Sequence, residues 1–243
     1  MAETENLKVN YGIDAPGVIR NLFLAALALT VVVIFFPVIK IWSVEFITGG
    51  LAWSAFGCAF GGFLMLLYSL HGKYKHRDRM LKLIDWKGDE QVLDIGTGKG
   101  LLMIGAAKKL STGKSIGIDI WNSEDLTGNN AEAALNNAAI EGVKDKVEVL
   151  NENVINMSFA DETFDVILSN MCIHNIYDKD GRMTACREIA RVLKKGGQAV
   201  IADFRHMHEY KKNFDEIGLP GKLLPANYLT TFPAVGILVI TKI

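Results

Sequence analysis

The chain has 243 residues, half of them hydrophobic, and a formal net charge of -1. A balance this close to neutrality excludes a protein that holds nucleic acid through a global basic field. Its mean hydropathy of +0.21 is high for a water-soluble globule, and the excess is concentrated near the N-terminus.

The first element follows the stretch NYGIDAPGVIRN, residues 10–21. Asp14 is expected to cap a helix, with Pro16 in its first turn. Residues 22–39 are 18 without a charge, and residues 46–70 are 25 without a charge. At 1.5 Å per residue each run is long enough to cross a hydrocarbon core. The first run ends in Pro-Val-Ile-Lys rather than a small-residue cleavage site, and a second run follows at once, so both read as retained membrane helices. Neither has the polar face of a helix packed on a soluble core.

The connection over 40–45 is short, so the runs form a hairpin with both ends on one side. Lys73, Lys75, Arg77, Arg79 and Lys82 crowd the second exit against one acid, Asp78. The positive-inside rule makes that side cytoplasmic, and the tail with Lys8 and Arg20 goes with it. The expected organisation is a cytoplasmic tail over 1–17, a transmembrane hairpin over 18–72 and a globular domain over 73–243. That places the chain in the cell membrane as a two-helix protein with the lipid bilayer as a partner. Trp42 and Tyr68 sit near run ends, as interfacial anchors do. Gly49-Gly50 and Gly57-x-x-x-Gly61 would allow close helix approach, within the hairpin or in a homo-oligomer.

From residue 74 onward, short apolar runs alternate with helical patterns. Helices are expected at 74–86, 100–110, 128–141, 180–195 and 208–217. Strands are expected at 91–95, 115–120, 146–151, 164–169, 197–204 and 235–242. The alternation predicts an α/β fold, a mostly parallel Rossmann-like sheet covered on both faces. Residues 227–231 and 236–241 read as a terminal hairpin closing one edge. Ligands bind such sheets beyond the carboxyl ends of the strands, which directs attention to residues 94–100, 119–121, 152–154 and 169–175.

Three ligand readings compete for the turn Gly96-x-Gly98-x-Gly100 after the strand VLDI. A phosphate loop at STGKS, residues 111–115, lacks the required glycine at Lys108 and precedes a strand. A dinucleotide turn has its third glycine one residue later. The third reading rests on four segments together: VLDIGTGKG at 92–100, GIDI at 117–120, FDVILSNMCIHNI at 164–176 and REIARVLKKGGQAVIADF at 187–204. In order and spacing these resemble the class I S-adenosylmethionine-dependent methyltransferases. The resemblance covers residues 74–243 and implies a seven-stranded sheet whose last strand is reversed.

It also implies site residues. Gly96, Thr97, Gly98 and Gly100 would pass under the methionine part of S-adenosylmethionine, and Asp94 would lie near its ammonium group. Asp119 would accept both ribose hydroxyls. Ile120 and Trp121 would flank the adenine, and Val154 with Asn153 would meet its amino edge. The family usually has Asp where Asn153 stands, and the amide oxygen can still accept. Asn170 completes the cofactor set.

Methyl transfer from a sulfonium is driven largely by alignment, and a base is needed only if the acceptor must lose a proton. His174 is the candidate base, beside Asn170 at the same strand end. Cys172 reads as core packing. No His, Cys and Asp grouping has metal spacing. Tyr11 and Asp14 are expected to fold over the ligand as a lid, since tail and domain share one face. The domain carries no insertion for acceptor recognition, so the hairpin is expected to present a lipid, quinone-like or other hydrophobic small-molecule acceptor. The alternatives are a tethered methyltransferase of a protein or soluble metabolite, and a membrane sensor of S-adenosylmethionine without turnover.

Overall fold

A computed structural model describes residues 8–243 apart from 123 and 229. The first seven residues of the expected tail therefore lie outside the described residues. Helix α1, Pro16–Phe35, ends two residues before Pro37, which cannot continue a helix. The expected tight connection is instead a small antiparallel hairpin of β1 (Val38–Ile41) and β2 (Val44–Ile47). Its β-branched residues favour extended backbone, and Lys40 pairs with Glu45 across it.

The return helix α2 is Leu51–Leu67, followed by a π-helical turn at Tyr68–Gly72 and by α3, Lys73–Leu81. These pieces form one continuous helix, Thr48–Leu81, of 34 residues. α3 stops short of the expected residue 86, where the Trp86 indole N–H donates to the Leu81 carbonyl at 2.8 Å. α1 and α2 lie side by side, and their most apolar windows are each only 11% buried. They are therefore not core helices of the globular part. At the seam, Gly62 meets the ring of Phe23, whereas Gly57 and Gly61 face open space. The hairpin does not pack through the Gly57-x-x-x-Gly61 pair.

The remaining elements alternate as expected. They are β3 (Gln91–Ile95), α4 (Leu101–Ala107), β4 (Lys114–Asp119), α5 (Ala131–Ile140), β5 (Val147–Asn151), β6 (Phe164–Asn170), α6 (Lys179–Val192), β7 (Leu193–Asp203), α7 (Met207–Glu216), β8 (Gly221–Asn227) and β9 (Val235–Thr241). The seven long strands form one sheet in the order β5-β4-β3-β6-β7-β9-β8. The first five are parallel, and β9 runs antiparallel between β7 and β8.

Two boundaries depart from expectation. α6 ends at Val192 and β7 begins at Leu193, because residues 194–197 continue the extended chain through a glycine turn with Gly196 at φ +77°. The hairpin partner is Gly221–Asn227 rather than 227–231. That strand contains Pro225, which the free edge of a sheet tolerates.

Strand residues alternate between two cores, as a period of two requires. Leu93, Ile95, Ile167 and Ile201 pack under α6 and α7 with Ile189, Tyr210 and Phe214. Val92, Val166, Leu168 and Val200 pack with Met80, Leu102 and Ala106 of α3 and α4. Burying both faces fixes the register, and the parallel run of β3 to β7 brings their carboxyl ends to one rim of the sheet.

Candidate active site

The glycine turn leaves β3 at this rim. The amides of Gly96 and Thr97 both donate to the Ile118 carbonyl, at 2.9 and 3.0 Å, pinning the turn to β4. Gly96 sits at φ +71°, and a Cβ there would lie 2.4 Å from Cys172 Sγ. Only glycine satisfies both the left-handed backbone and the close approach.

Asp119 ends β4, and its carboxylate accepts from the Gly98 amide at 2.8 Å and the Trp121 amide at 2.7 Å. Each oxygen keeps a second lone pair. Together these residues open a pocket of about 370 Å³ lined by Gly96, Gly98, Asp119, Ile120, Asn153, Val154 and Asn170. The volume lies in the range of small-ligand sites. Asn170 lines the rim of the pocket, and its side chain lies beside those of Tyr68 and His76. The left-handed glycines and the strand-end carboxylate fit a polar, nucleoside-bearing ligand.

Not every sequence-predicted residue lines that pocket. Asp94 lies beneath the turn, where its Oδ2 accepts from Thr97 Oγ1 at 2.8 Å and from the Met103 amide at 2.9 Å. Burial raises its pKa to about 7, against the lowering effect of those two bonds. Asp94, Thr97 and Gly100 thus build the turn from below. Trp121 does not line the pocket either. Its backbone is left-handed at φ +59°, held so by the amide bond to Asp119.

His174 belongs to a short 3-10 turn, Ile173–Asn175. Its backbone amide donates to Asp203 Oδ2 at 3.2 Å, and Nδ1 stands 2.9 Å from Asp203 Oδ1, out of line for a hydrogen bond. The Phe204 ring packs edge-on at 4.6 Å. His174 does not face the first pocket. It lines a second cavity of about 990 Å³, whose walls include Val18, Arg20, Met65 and Phe232. The two spaces share a wall of Asp14, Asp125, Met171, Asn175 and Tyr177. A ligand in one therefore meets a ligand in the other across a common boundary. Cys172 lines the first pocket, and burial of its thiol pushes the pKa up, which suits packing rather than nucleophilic attack.

The tail runs along this boundary. Asp14 forms a bridge with Leu126, and the Ala15 amide donates to the Asp125 carbonyl at 2.9 Å. Asp14 is not the helix cap: Ala15 is, at φ +45° without a side-chain bond. The Asp14 carboxylate instead meets the buried Lys73 ammonium at 3.3 Å, and Lys73 also donates to the carbonyls of Tyr11 and Gly12 at 2.8 and 2.6 Å. Tyr11 corrects the lid expectation. Its side chain lines neither space but turns onto α5, where its hydroxyl donates to Glu141 at 3.2 Å and its ring meets Tyr74. It latches the tail down, and Asp14 is the tail residue, among the described ones, that lines both pockets.

Sequence reasoning passed over Asp203, although it ends β7 as Asp119 ends β4, and a search of every strand end would have found it. Asp125 and Lys73 carried no local signal. Among the described residues no group of three or more His, Cys, Asp or Glu is placed to hold a metal ion.

The methyltransferase-domain family matches residues 87–220, more than half of the chain. The chain belongs to the class I S-adenosylmethionine-dependent methyltransferases. A probable methyltransferase, ltbC, of Aspergillus luteorubrus is 31% identical over 131 residues, which are 53% of this chain and 45% of that protein. A demethylmenaquinone methyltransferase of Bacteroides fragilis is 34% identical over 125 residues, 50% of this chain and 47% of that one. The chain thus spans about half the length of these curated relatives. The crystal structure of YcgJ from Bacillus subtilis aligns with a TM-score of 0.58 at 18% identity, over 70% of this chain and 99% of that one. That likeness concerns the fold, and its match over 70% of the chain leaves room for the helical hairpin outside the family's domain.

Proposed function

We propose that this protein is an integral membrane methyltransferase. It would transfer the methyl group of S-adenosylmethionine to a lipid, a quinone-like compound or another membrane-partitioning small molecule at the cytoplasmic surface. The observation that carries this reading is the second cavity. Val18, Arg20 and Met65 at the domain-proximal ends of the apolar helices form one side of it, and His174 and Phe204 at the strand ends form the other. An acceptor leaving the bilayer along α1 and α2 would arrive against the wall shared with the glycine-turn pocket. The name of the Bacteroides relative gives a quinone-like acceptor added weight.

The length, composition and exposure of α1 and α2 support the spanning role. The cations at 73–82 support a cytoplasmic domain. Bound S-adenosylmethionine would supply an activated methyl group. The chain's part is then positional: Asp119 and the glycine turn hold the nucleoside end, Asn170 lines the rim, and Asp14 and Asp125 line the junction. Where the acceptor is acidic, His174 would take its proton on Nε2, with the Asp203 carboxylate 2.9 Å from Nδ1 to offset the charge developing on the ring.

The test is transfer from methyl-labelled S-adenosylmethionine by the full-length protein in detergent, supplied with a total membrane extract. Label in the organic phase supports the reading. Label in protein or water-soluble material would refute it in favour of a tethered enzyme, and saturable cofactor binding without transfer would favour a sensor.

A further inference from the structure

A separate cleft of about 270 Å³ lies between the α2–α3 helix and the loop joining β8 to β9. Its helical wall is Leu64, Leu67, Tyr68, His71 and Lys75, spaced so that all lie on one face. Its other wall is the loop, with Thr230, Thr231 and Phe232. The loop is seated closely, since a Cβ on Gly72 would lie 2.4 Å from the Thr230 carbonyl oxygen.

The chemistry changes along the helix. Leu64 and Leu67 continue the apolar run, whereas His71 and Lys75, one and two turns further on, are exposed basic residues. Neither makes a hydrogen bond or ion pair among the described residues, and no carboxylate is among the described lining residues.

An unpaired cationic end above an apolar end is complementary to an anionic amphiphile. We propose that this cleft binds an anionic phospholipid of the bilayer, its phosphate against Lys75 and His71 and its upper acyl carbons against Leu64, Leu67 and Phe232. The proposal rests on the membrane reading of α1 and α2. The site is distinct from the acceptor cavity, with which it shares Phe232.

The test uses full-length protein in neutral detergent, with native mass spectrometry after adding phosphatidylglycerol and phosphatidylcholine in equal amounts. The native chain should retain phosphatidylglycerol in preference by about tenfold. Combining His71→Gln with Lys75→Gln should bring the preference below about twofold, and Lys212→Gln should leave it unchanged. Equal retention of the two lipids, or a preference that survives the double substitution, would overturn the proposal. Displacement of the lipid by millimolar inorganic phosphate would also overturn it, because the acyl half would then contribute nothing. Flotation with neutral phosphatidylcholine vesicles separates the two claims. A chain that floats but shows no preference refutes only the cleft, and one that does not float refutes the membrane reading as well.

Discussion

Replacing Asp119 with Ala removes the carboxylate that the structure sets at the end of β4. In the free protein that group already accepts the amides of Gly98 and Trp121 at 2.8 and 2.7 Å, and one lone pair on each oxygen remains for a ligand. Two ribose hydroxyls donating to a charged acceptor contribute about 1.5–3 kcal/mol each. Losing both weakens binding by about a hundredfold to ten-thousandfold. Alanine also frees the Gly98 amide and loosens the turn, so Asp119→Asn is the sharper control. It keeps one oxygen in place and should cost about tenfold. Isothermal titration of each variant with S-adenosylhomocysteine gives the dissociation constants, and thermal melts show that the domain remains folded. An alanine variant that binds within about fivefold of the native chain would refute the assignment of Asp119 to the ribose, since one lost charged hydrogen bond alone exceeds that.

Gly96→Ala should lower stability by about 2–4 kcal/mol, from overpacking and a left-handed alanine, and adding Cys172→Gly should recover the steric part in chemical denaturation. Lys73→Met keeps the stem but strands the Tyr11 and Gly12 carbonyls. Hydrogen exchange over residues 10–15 should then accelerate by about tenfold or more, and unchanged protection would refute the latch. Asp94 has a folded pKa of about 7 against an ordinary 3.8, so the folded state takes up its proton more readily than the unfolded one. Its stabilising contribution is complete below about pH 4 and is lost as the pH rises through 7. Asp94→Asn should therefore gain melting temperature over the native chain between pH 4 and pH 7, with a constant gap above. If Asp94 lies near the cofactor's ammonium group, binding S-adenosylhomocysteine at pH 7 should release part of a proton, seen as a buffer-dependent binding enthalpy.

The sheet was legible because its strands are buried on both faces. A run such as VLDI or FDVILS can be little else between helical patterns, and the glycines mark where the first strand must turn. Asp119 and Asn170 could be found for the same reason, since a polar residue that ends a buried strand has to face the rim, and Asn153 lies two residues past the end of β5. What escaped was long-range. Lys73 reads locally as one more charge at a helix exit, yet its ammonium is satisfied by carbonyls more than sixty positions upstream. Tyr11 reads as a loop aromatic free to cover a ligand, and only the position of Glu141 shows where its hydroxyl goes. Trp121 stands two residues past Asp119, and its left-handed backbone at φ +59° goes with a residue that lies outside the pocket.

The continuous helix from Thr48 to Leu81 joins the apolar run to the domain with no linker. Its 34 residues measure about 51 Å at 1.5 Å per residue, and the π turn at 68–72 changes its phase without breaking it. If its apolar part lies in a bilayer, the height of the catalytic rim above the lipid is a constant of the fold. The enzyme would then act as a depth gauge. Two acceptors with the same reactive group but different immersion would be distinguished by vertical position alone, and bilayer thickness would enter the rate as directly as a side chain in the pocket.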